Sequence, residues 1–271
     1  MQFDNFVTHN IDFYMGKPKS GKTTILGTYP KPLLYISVGN DGGGRVLAHI
    51  KDIYVKNLRN DFVKKKTTIE QLAEILAELR QPNAPKFKTI GIDTLGALQD
   101  DYKSYLEYQK GGRALSQQEW GDVSKMMLSI KDNMKRFSEE QGVQFVWLTH
   151  TNEMELYETS GLDKEIRIIP DVTIKTGVKY MKDASNIFYC CRKTCIQPDG
   201  KKTVKFLVYV GPHPVIDTGT RDMVLASGDF VENFTYDKWQ TMIKAGTLDP
   251  VKLAQFEQSE NKNSEEVNNN D

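Results

Sequence analysis

The sequence predicts an α/β fold: a mostly parallel sheet flanked by helices, extended toward the C-terminus by an antiparallel β-hairpin. Three observations predict it. Apolar β runs alternate with amphipathic helical stretches, the pattern of a parallel sheet covered on both faces. The first run leads directly into a Gly-rich turn and then a helix former. The last third of the chain instead joins two β runs by a tight turn, "QPDGKK".

Each element has its own justification. "IDFYM", Ile11 to Met15, is a short apolar run. "GKPKSGK" follows it, and "TTILGTY" continues as a helix start. "PLLYISV", Pro32 to Val38, reads as a second buried strand, closed by the flexible "GNDGGG". "DIYVKNL" is a third strand. In "TTIEQLAEILAELR", Ile69, Leu72, Ala73, Leu76 and Leu79 share one helical face, and Thr67 with Glu70 forms a capping box. "KFKTIGIDTL", Lys86 to Leu95, is a buried strand ending in Asp93, with a helix following to Tyr105. A long helix starts near Ser116 or Asp122 and runs to Glu140, with Ser116 and Glu119 as a second capping box. "VQFVWLTHTNE" is a core strand with a polar end. "NIFYCCRKTCI" and "TVKFLVYV" form the hairpin.

A long polar segment lies between His150 and the hairpin. Such segments in compact domains are often functional. The end, "FEQSENKNSEEVNNND", is Asn-rich and acidic. Residues 1–250 are expected to form one domain, and 251–271 a disordered tail.

Bulk composition narrows the function. The chain has 271 residues, with Lys+Arg and Asp+Glu at 36 each. It is long enough to bury a large core without staples. Zero net charge gives no global nucleic-acid signature, while leaving local basic patches open. Three Cys in this length do not make a disulfide framework and suit a reducing compartment. No leader pattern and no spanning apolar run is present, so a cytoplasmic location is expected.

The chemistry concentrates in "MGKPKSGKTT". Gly16, Gly21, Lys22 and Thr23 stand at the spacing G-x-x-x-x-G-K-T. Glycines let the backbone curl until successive N–H groups point at phosphate oxygens. Lys17, Pro18, Lys19, Ser20 and Thr24 complete the cradle. Lys22 reaches the outer phosphates, and Thr23 offers a hydroxyl to Mg²⁺. The preceding strand and following helix former are the context this motif needs. Asp93, at the tip of another apolar strand, is the acid expected on the Mg²⁺ side; a helix-capping Asp is the alternative.

Further residues are candidates with open alternatives. Asp41 is the nearest acid after the second strand and could orient the attacking water, or simply be a turn residue. Thr149 and His150 stand at a strand tip where they can sense the γ-phosphate, and a structural His is equally open. Arg221 fits an arginine finger reaching a neighbouring subunit, or a surface Arg. Lys164, Arg167, Lys175, Lys179 and Lys182, with Tyr157 and Tyr180 nearby, suit single-stranded nucleic acid; a solvated loop is the alternative. Cys190, Cys191 and Cys195 do not suit zinc, because adjacent strand residues face opposite ways.

Taken together, "FYMGKPKSGKTT", "LLYISVGNDGG", "TIGIDTLGAL", "QEWG", "FVWLTHTNE" and "RDMVLASGDFVENFTYDKWQTMI" resemble a family of phage-encoded, RecA-like P-loop ATPases, the Sak-type single-strand annealing proteins. The resemblance covers the chain to about residue 245. It implies a RecA-like core holding ATP and Mg²⁺ between subunits of a homo-oligomer. It also implies single-stranded DNA as partner, a single-strand DNA-binding protein beside it, and annealing or recombination in phage replication, in the host cytoplasm. Lys22, Thr23 and Asp93 match the family's phosphate-loop and Mg²⁺-side residues. The departure follows the second strand. There the family shows D-x-E-G, and this chain has Ser37 and Gly39, with Asp41 two residues late. Slow or DNA-stimulated hydrolysis fits that departure. A nucleotide-gated scaffold or loader and a P-loop kinase are the rival readings. Adenine over guanine follows from the resemblance, since no N-K-x-D stretch occurs.

Overall fold

A computed structural model describes residues 11–39, 43–157, 164–197 and 200–268. A nine-stranded sheet organises the chain. Its parallel part uses β1 (Ile11–Met15), β2 (Leu33–Val38), β3 (Ile53–Leu58), β4 (Thr89–Asp93) and β5 (Gln144–Thr149). The small sheet formed by β6 (Thr151–Tyr157) and β7 (Lys164–Pro170) stands apart from it. β8 (Asn186–Ile196) joins β1 in parallel, and β9 (Lys202–Tyr209) returns antiparallel on β8. The short β10 (Gly219–Thr220) pairs with β8, and β11 (Phe230–Glu232) with β9. The main path reads β11-β9-β8-β1-β5-β4-β2-β3. This is the mixed sheet that the alternation of β runs and helices predicts.

Strand alternation splits the core in two. Phe13 and Met15 of β1, with Phe145 and Trp147 of β5, pack on one face. That face is covered by α2 (Thr68–Leu79), α3 (Leu95–Gln109), α4 (Gln117–Gln141) and α5 (Ile174–Asp183). Tyr14, Val146 and Leu148 point to the other face, with Tyr29, Phe188 and Trp239. There lie α1 (Lys22–Leu26) and α6 (Tyr236–Ala245). Cys190 joins this second cluster while Cys191 packs beside the first, as alternation requires.

Both capping boxes form: Thr67 with Glu70 at α2, and Ser116 with Glu119 at α4. α1 is short. It ends at Gly27, where a Cβ would lie 2.8 Å from Leu47. Gly91 in β4 permits a similar approach: a Cβ there would meet Leu26 at 2.4 Å, so the glycine lets α1 settle onto the sheet.

Two stretches differ from the sequence reading. The polar segment after His150 is not an irregular loop; it folds as the β6–β7 hairpin followed by α5. Its two-stranded pattern is masked because apolar and charged residues share each face of the pair: Met154 is in register with Arg167, and Ile166 and Ile168 with Glu155 and Glu153. The tail expected to be disordered continues as α7 (Pro250–Asn268), whose start is held by Leu253 packing on the second core. Its Lys, Leu, Ala, Gln and Glu are good helix formers, which composition alone does not weigh against polarity. No helix among the described residues is long and apolar enough to cross a membrane.

Candidate functional site

β1 delivers the chain to the phosphate loop at the C-terminal rim of the sheet. Gly16 is obligatory there, since a Cβ would lie 2.2 Å from the Cys190 carbonyl oxygen. Gly21 takes φ +96, a left-handed conformation that side chains resist. Lys22 is 5% exposed, and its ammonium is turned into the loop. Its Nζ donates to the carbonyls of Gly16 (2.7 Å) and Lys17 (3.1 Å), and lies 3.3 Å from Nδ1 of His150. The loop thus curls around its own lysine, which can exchange carbonyl oxygens for phosphate oxygens.

Asp93 stands beside it. The Thr23 hydroxyl donates to Asp93 Oδ2 at 2.8 Å, and the Tyr35 hydroxyl at 3.0 Å. Register places Asp93 between Ser37 of β2 and Leu148 of β5. The capping alternative fails, because Thr94 is the residue whose side chain caps α3 by accepting from Ala97 N–H. Asp93 is therefore not the cap of α3. Paired hard oxygens suit Mg²⁺: the Thr23 hydroxyl gives its proton to Asp93 and keeps a lone pair for a metal.

Polar atoms without partners mark the same rim. Among the described residues, the buried hydroxyls of Ser20, Thr149 and Thr151 accept and donate nothing. Buried hydroxyls are normally satisfied; Ser20 lies in the phosphate loop, and Thr149 and Thr151 flank His150 at the ends of β5 and β6, where a ligand or water can supply the partners.

Around these groups lies a cleft of about 550 Å³, bounded by the phosphate loop, Asp93, His150, Arg45 and Phe206. A smaller, largely apolar recess of about 270 Å³ opens on the other side of Phe206, between Thr24, Thr28 and Asn233. Sequence reasoning missed both Arg45 and Phe206. Arg45 follows "GNDGGG" in a 3-10 turn, Gly43–Leu47, and Phe206 reaches the loop from β9. No local pattern announces either; only the fold brings them across.

The other predicted residues scatter. Asp41 lies outside the described residues. Lys17 leaves the loop to pair with Glu153 of β6 at 2.9 Å, which holds the Glu153 carboxyl below its usual range. Arg221 sits at the opposite end of the sheet: its backbone N–H donates to Ser185 and its guanidinium to the Lys182 carbonyl. The five basic candidates divide between two elements. Lys164 and Arg167 belong to β7; Lys175, Lys179 and Lys182 are exposed along α5. Among the described residues, no cluster of three or more His, Cys, Asp or Glu side chains could hold a metal.

A Gly-rich loop, its buried lysine, and a hydroxyl–carboxylate pair on the neighbouring strand tip define the P-loop nucleotide triphosphatases. The family comparison agrees: residues 13–222 match the AAA domain family AAA_24, and the chain belongs to that P-loop ATPase family. No curated protein matches the chain.

Proposed function

We propose that this protein binds and hydrolyses ATP with Mg²⁺ in the 550 Å³ cleft, and that the bound triphosphate controls its grip on single-stranded DNA. One observation carries the second half. The phosphate loop and the β6–β7 hairpin are already wired together, through Lys22 to His150 (3.3 Å) and Lys17 to Glu153 (2.9 Å). His150 is the residue immediately before β6. A γ-phosphate that draws Lys22 out of the loop changes what His150 faces, and with it the base of the hairpin. Order or position of a segment set by γ-phosphate contacts is a known switching device.

In this reading the triphosphate takes the loop N–H groups, Lys22 and Arg45. Thr23 and Asp93 hold the Mg²⁺, and the base enters the recess beside Phe206. Magnesium supplies charge neutralisation at the phosphates when bound. Arg167 on β7 contacts DNA backbone. The resemblance to phage annealing proteins supports single-strand annealing or recombination as the biological task, with a homo-oligomer as the working form.

The test is oligonucleotide binding with and without a non-hydrolysable ATP analogue, alongside phosphate release by wild type and Lys22→Ala. We expect analogue-dependent binding and loss of release in the variant. Absence of binding in both states removes the DNA part; release unchanged by Lys22→Ala removes the ATPase part. A second reading, a nucleotide-gated scaffold with slow turnover, rests on Asp93 being the one carboxylate among the described residues of the cleft. Turnover that stays at background with DNA present selects it.

A further inference from the structure

The loop after β3 is built unlike an ordinary surface turn. Asp61 and Lys66 exchange backbone hydrogen bonds in both directions (2.8 and 2.9 Å), closing a tight hairpin. Lys65 takes φ +54 at its tip. Asn60 Nδ2 fastens its base to the Asp101 carbonyl of α3 at 2.6 Å. What this preorganised loop presents is apolar and cationic. Val63 is 92% exposed and Phe62 41%. Phe62 lies against Tyr108 of α3, itself 61% exposed, with ring centroids 4.6 Å apart, and stacks over the buried Tyr105 at 6.0 Å. Exposed apolar groups that adjoin one another in a patch, as Phe62, Val63 and Tyr108 do, mark interaction sites where single ones do not.

Charge selects the partner. "RNDFVKKK", residues 59–66, carries Arg59, Lys64, Lys65 and Lys66 against the single carboxylate Asp61, in a chain whose net charge is zero. Glu74 pairs with Lys66. Lys110 and Arg113, just beyond Tyr108, both converge on Glu119. Among the described residues Arg59 and Lys65 form no ion pair. Within residues 59–66 the excess is positive beside the Phe62 ring, although Lys64 pairs with Asp61, and next to Tyr108 the Glu107 carboxylate pairs with Lys103. A polyanion with exposed flat bases is the complement: phosphates meet the cations, and bases stack on Phe62 and Tyr108.

Position joins this surface to the hairpin. The loop leaves β3 at the same rim that carries the phosphate loop. α3 spans the gap: near its start Gln99 Oε1 accepts from the Thr173 N–H just after β7, and near its end stands Tyr108. Nine residues of helix separate those anchors, about 14 Å at 1.5 Å per residue. We infer that Phe62, Tyr108, Arg59 and Lys65 form a stacking platform for single-stranded DNA, a second contact point beside the β6–β7 hairpin. The inference rests on the single-strand reading above.

The test uses the full chain with ATP analogue and a labelled oligo(dT), read by fluorescence anisotropy. Tyr108→Ala carries it, since that ring is exposed and Tyr105 keeps its core contacts. Loss of one stacked base weakens binding by about 5- to 150-fold. Tyr108→Phe retains the wild-type affinity, which separates stacking from hydroxyl chemistry. The double variant Arg59→Gln, Lys65→Gln lowers the slope of log affinity against log salt by about 1.4, at about 0.7 per phosphate contact on a single strand. Wild-type binding with Tyr108→Ala unchanged overturns the platform and leaves the hairpin reading standing. Absence of binding by the wild type overturns both. A loss shared equally by Tyr108→Ala and Tyr108→Phe also overturns it.

Discussion

Strand β1 carries Asp12 near its lower end and runs into Gly16 at its upper end. Both neighbourhoods bury polar groups, and they do so under opposite terms. Asp12 is 2% exposed and fully subscribed: Tyr29 donates at 2.6 Å, and Gln144 and Asn186 at 2.8 Å. Tyr14 extends the network by sharing a hydrogen bond with Tyr29 (2.7 Å). At the upper end, three hydroxyls lack partners among the described residues and a lysine folds back on its own loop. A buried polar cluster that satisfies itself holds the fold. One that leaves groups unsatisfied has room for partners from outside the chain, a ligand, an ion or water.

The largest effect sharpens the upper half of this comparison. Asp93→Asn keeps the size of the side chain and an oxygen for Thr23, while removing the charge. ATP turnover is expected to fall at least about 100-fold, the scale of losing one preorganised electrostatic group. Phosphate release measured across a magnesium titration checks it, and a fall below tenfold denies Asp93 its metal role.

The lower half is broken or upheld by acid. Burial, opposed by the donors from Tyr29 and Asn186, pushes the Asp12 carboxyl from 3.8 up to about 6. The native state therefore holds this proton more tightly than the unfolded chain. The stability linked to that proton is present below about pH 4 and lost as pH rises through about 6, on the order of 3 kcal/mol in all. Asp12→Asn has no charge to bury, so the variant lacks this fall. Urea midpoints of both proteins between pH 4 and 7 provide the difference. Parallel profiles would show that folding leaves the Asp12 pKa unshifted.

A smaller effect comes from an orphan. Thr149→Val removes a buried hydroxyl that has no hydrogen-bond partner among the described residues. Its stability without nucleotide should hold or rise by up to about 1 kcal/mol, while ATP affinity drops about tenfold. Calorimetric binding and thermal unfolding report the two separately. Loss of stability with affinity intact would make Thr149 structural.

Smallest is Glu153→Gln, which breaks an exposed pair with Lys17. Exposed pairs contribute under about 1 kcal/mol, so the melting temperature stays nearly unchanged. The quantity to watch is the gain in DNA affinity on adding the ATP analogue. If it is identical in wild type and variant, the hairpin is coupled to the loop through His150 alone.

Much of the site was legible in advance because its chemistry is local. A curl that admits several N–H groups demands glycines at fixed spacing, so Gly16 to Thr24 announce themselves. Asp93 is equally visible as a carboxylate ending an apolar strand. Arg221 could not be placed in advance, since an Arg in a loop looks the same wherever the loop goes, and this loop runs along the bottom of the sheet. The β6–β7 hairpin hid because its apolar residues Met154, Ile166 and Ile168 are in register with charged ones, so each face of the pair mixes the two.

By itself, the order of residues determined the alternation of strand and helix, the two capping boxes and the phosphate loop. These depend on backbone preferences and side-chain periods that operate within a few neighbours. Tertiary structure alone decided that Arg45 and Phe206 face the loop across the cleft. It also set His150 within reach of Lys22 and stood Tyr108 beside Phe62. Those pairs are far apart in the chain, and their meeting follows from how β2, β3, β5 and β9 take their places in one sheet. Strand order is a global packing outcome, and no short stretch of sequence encodes it.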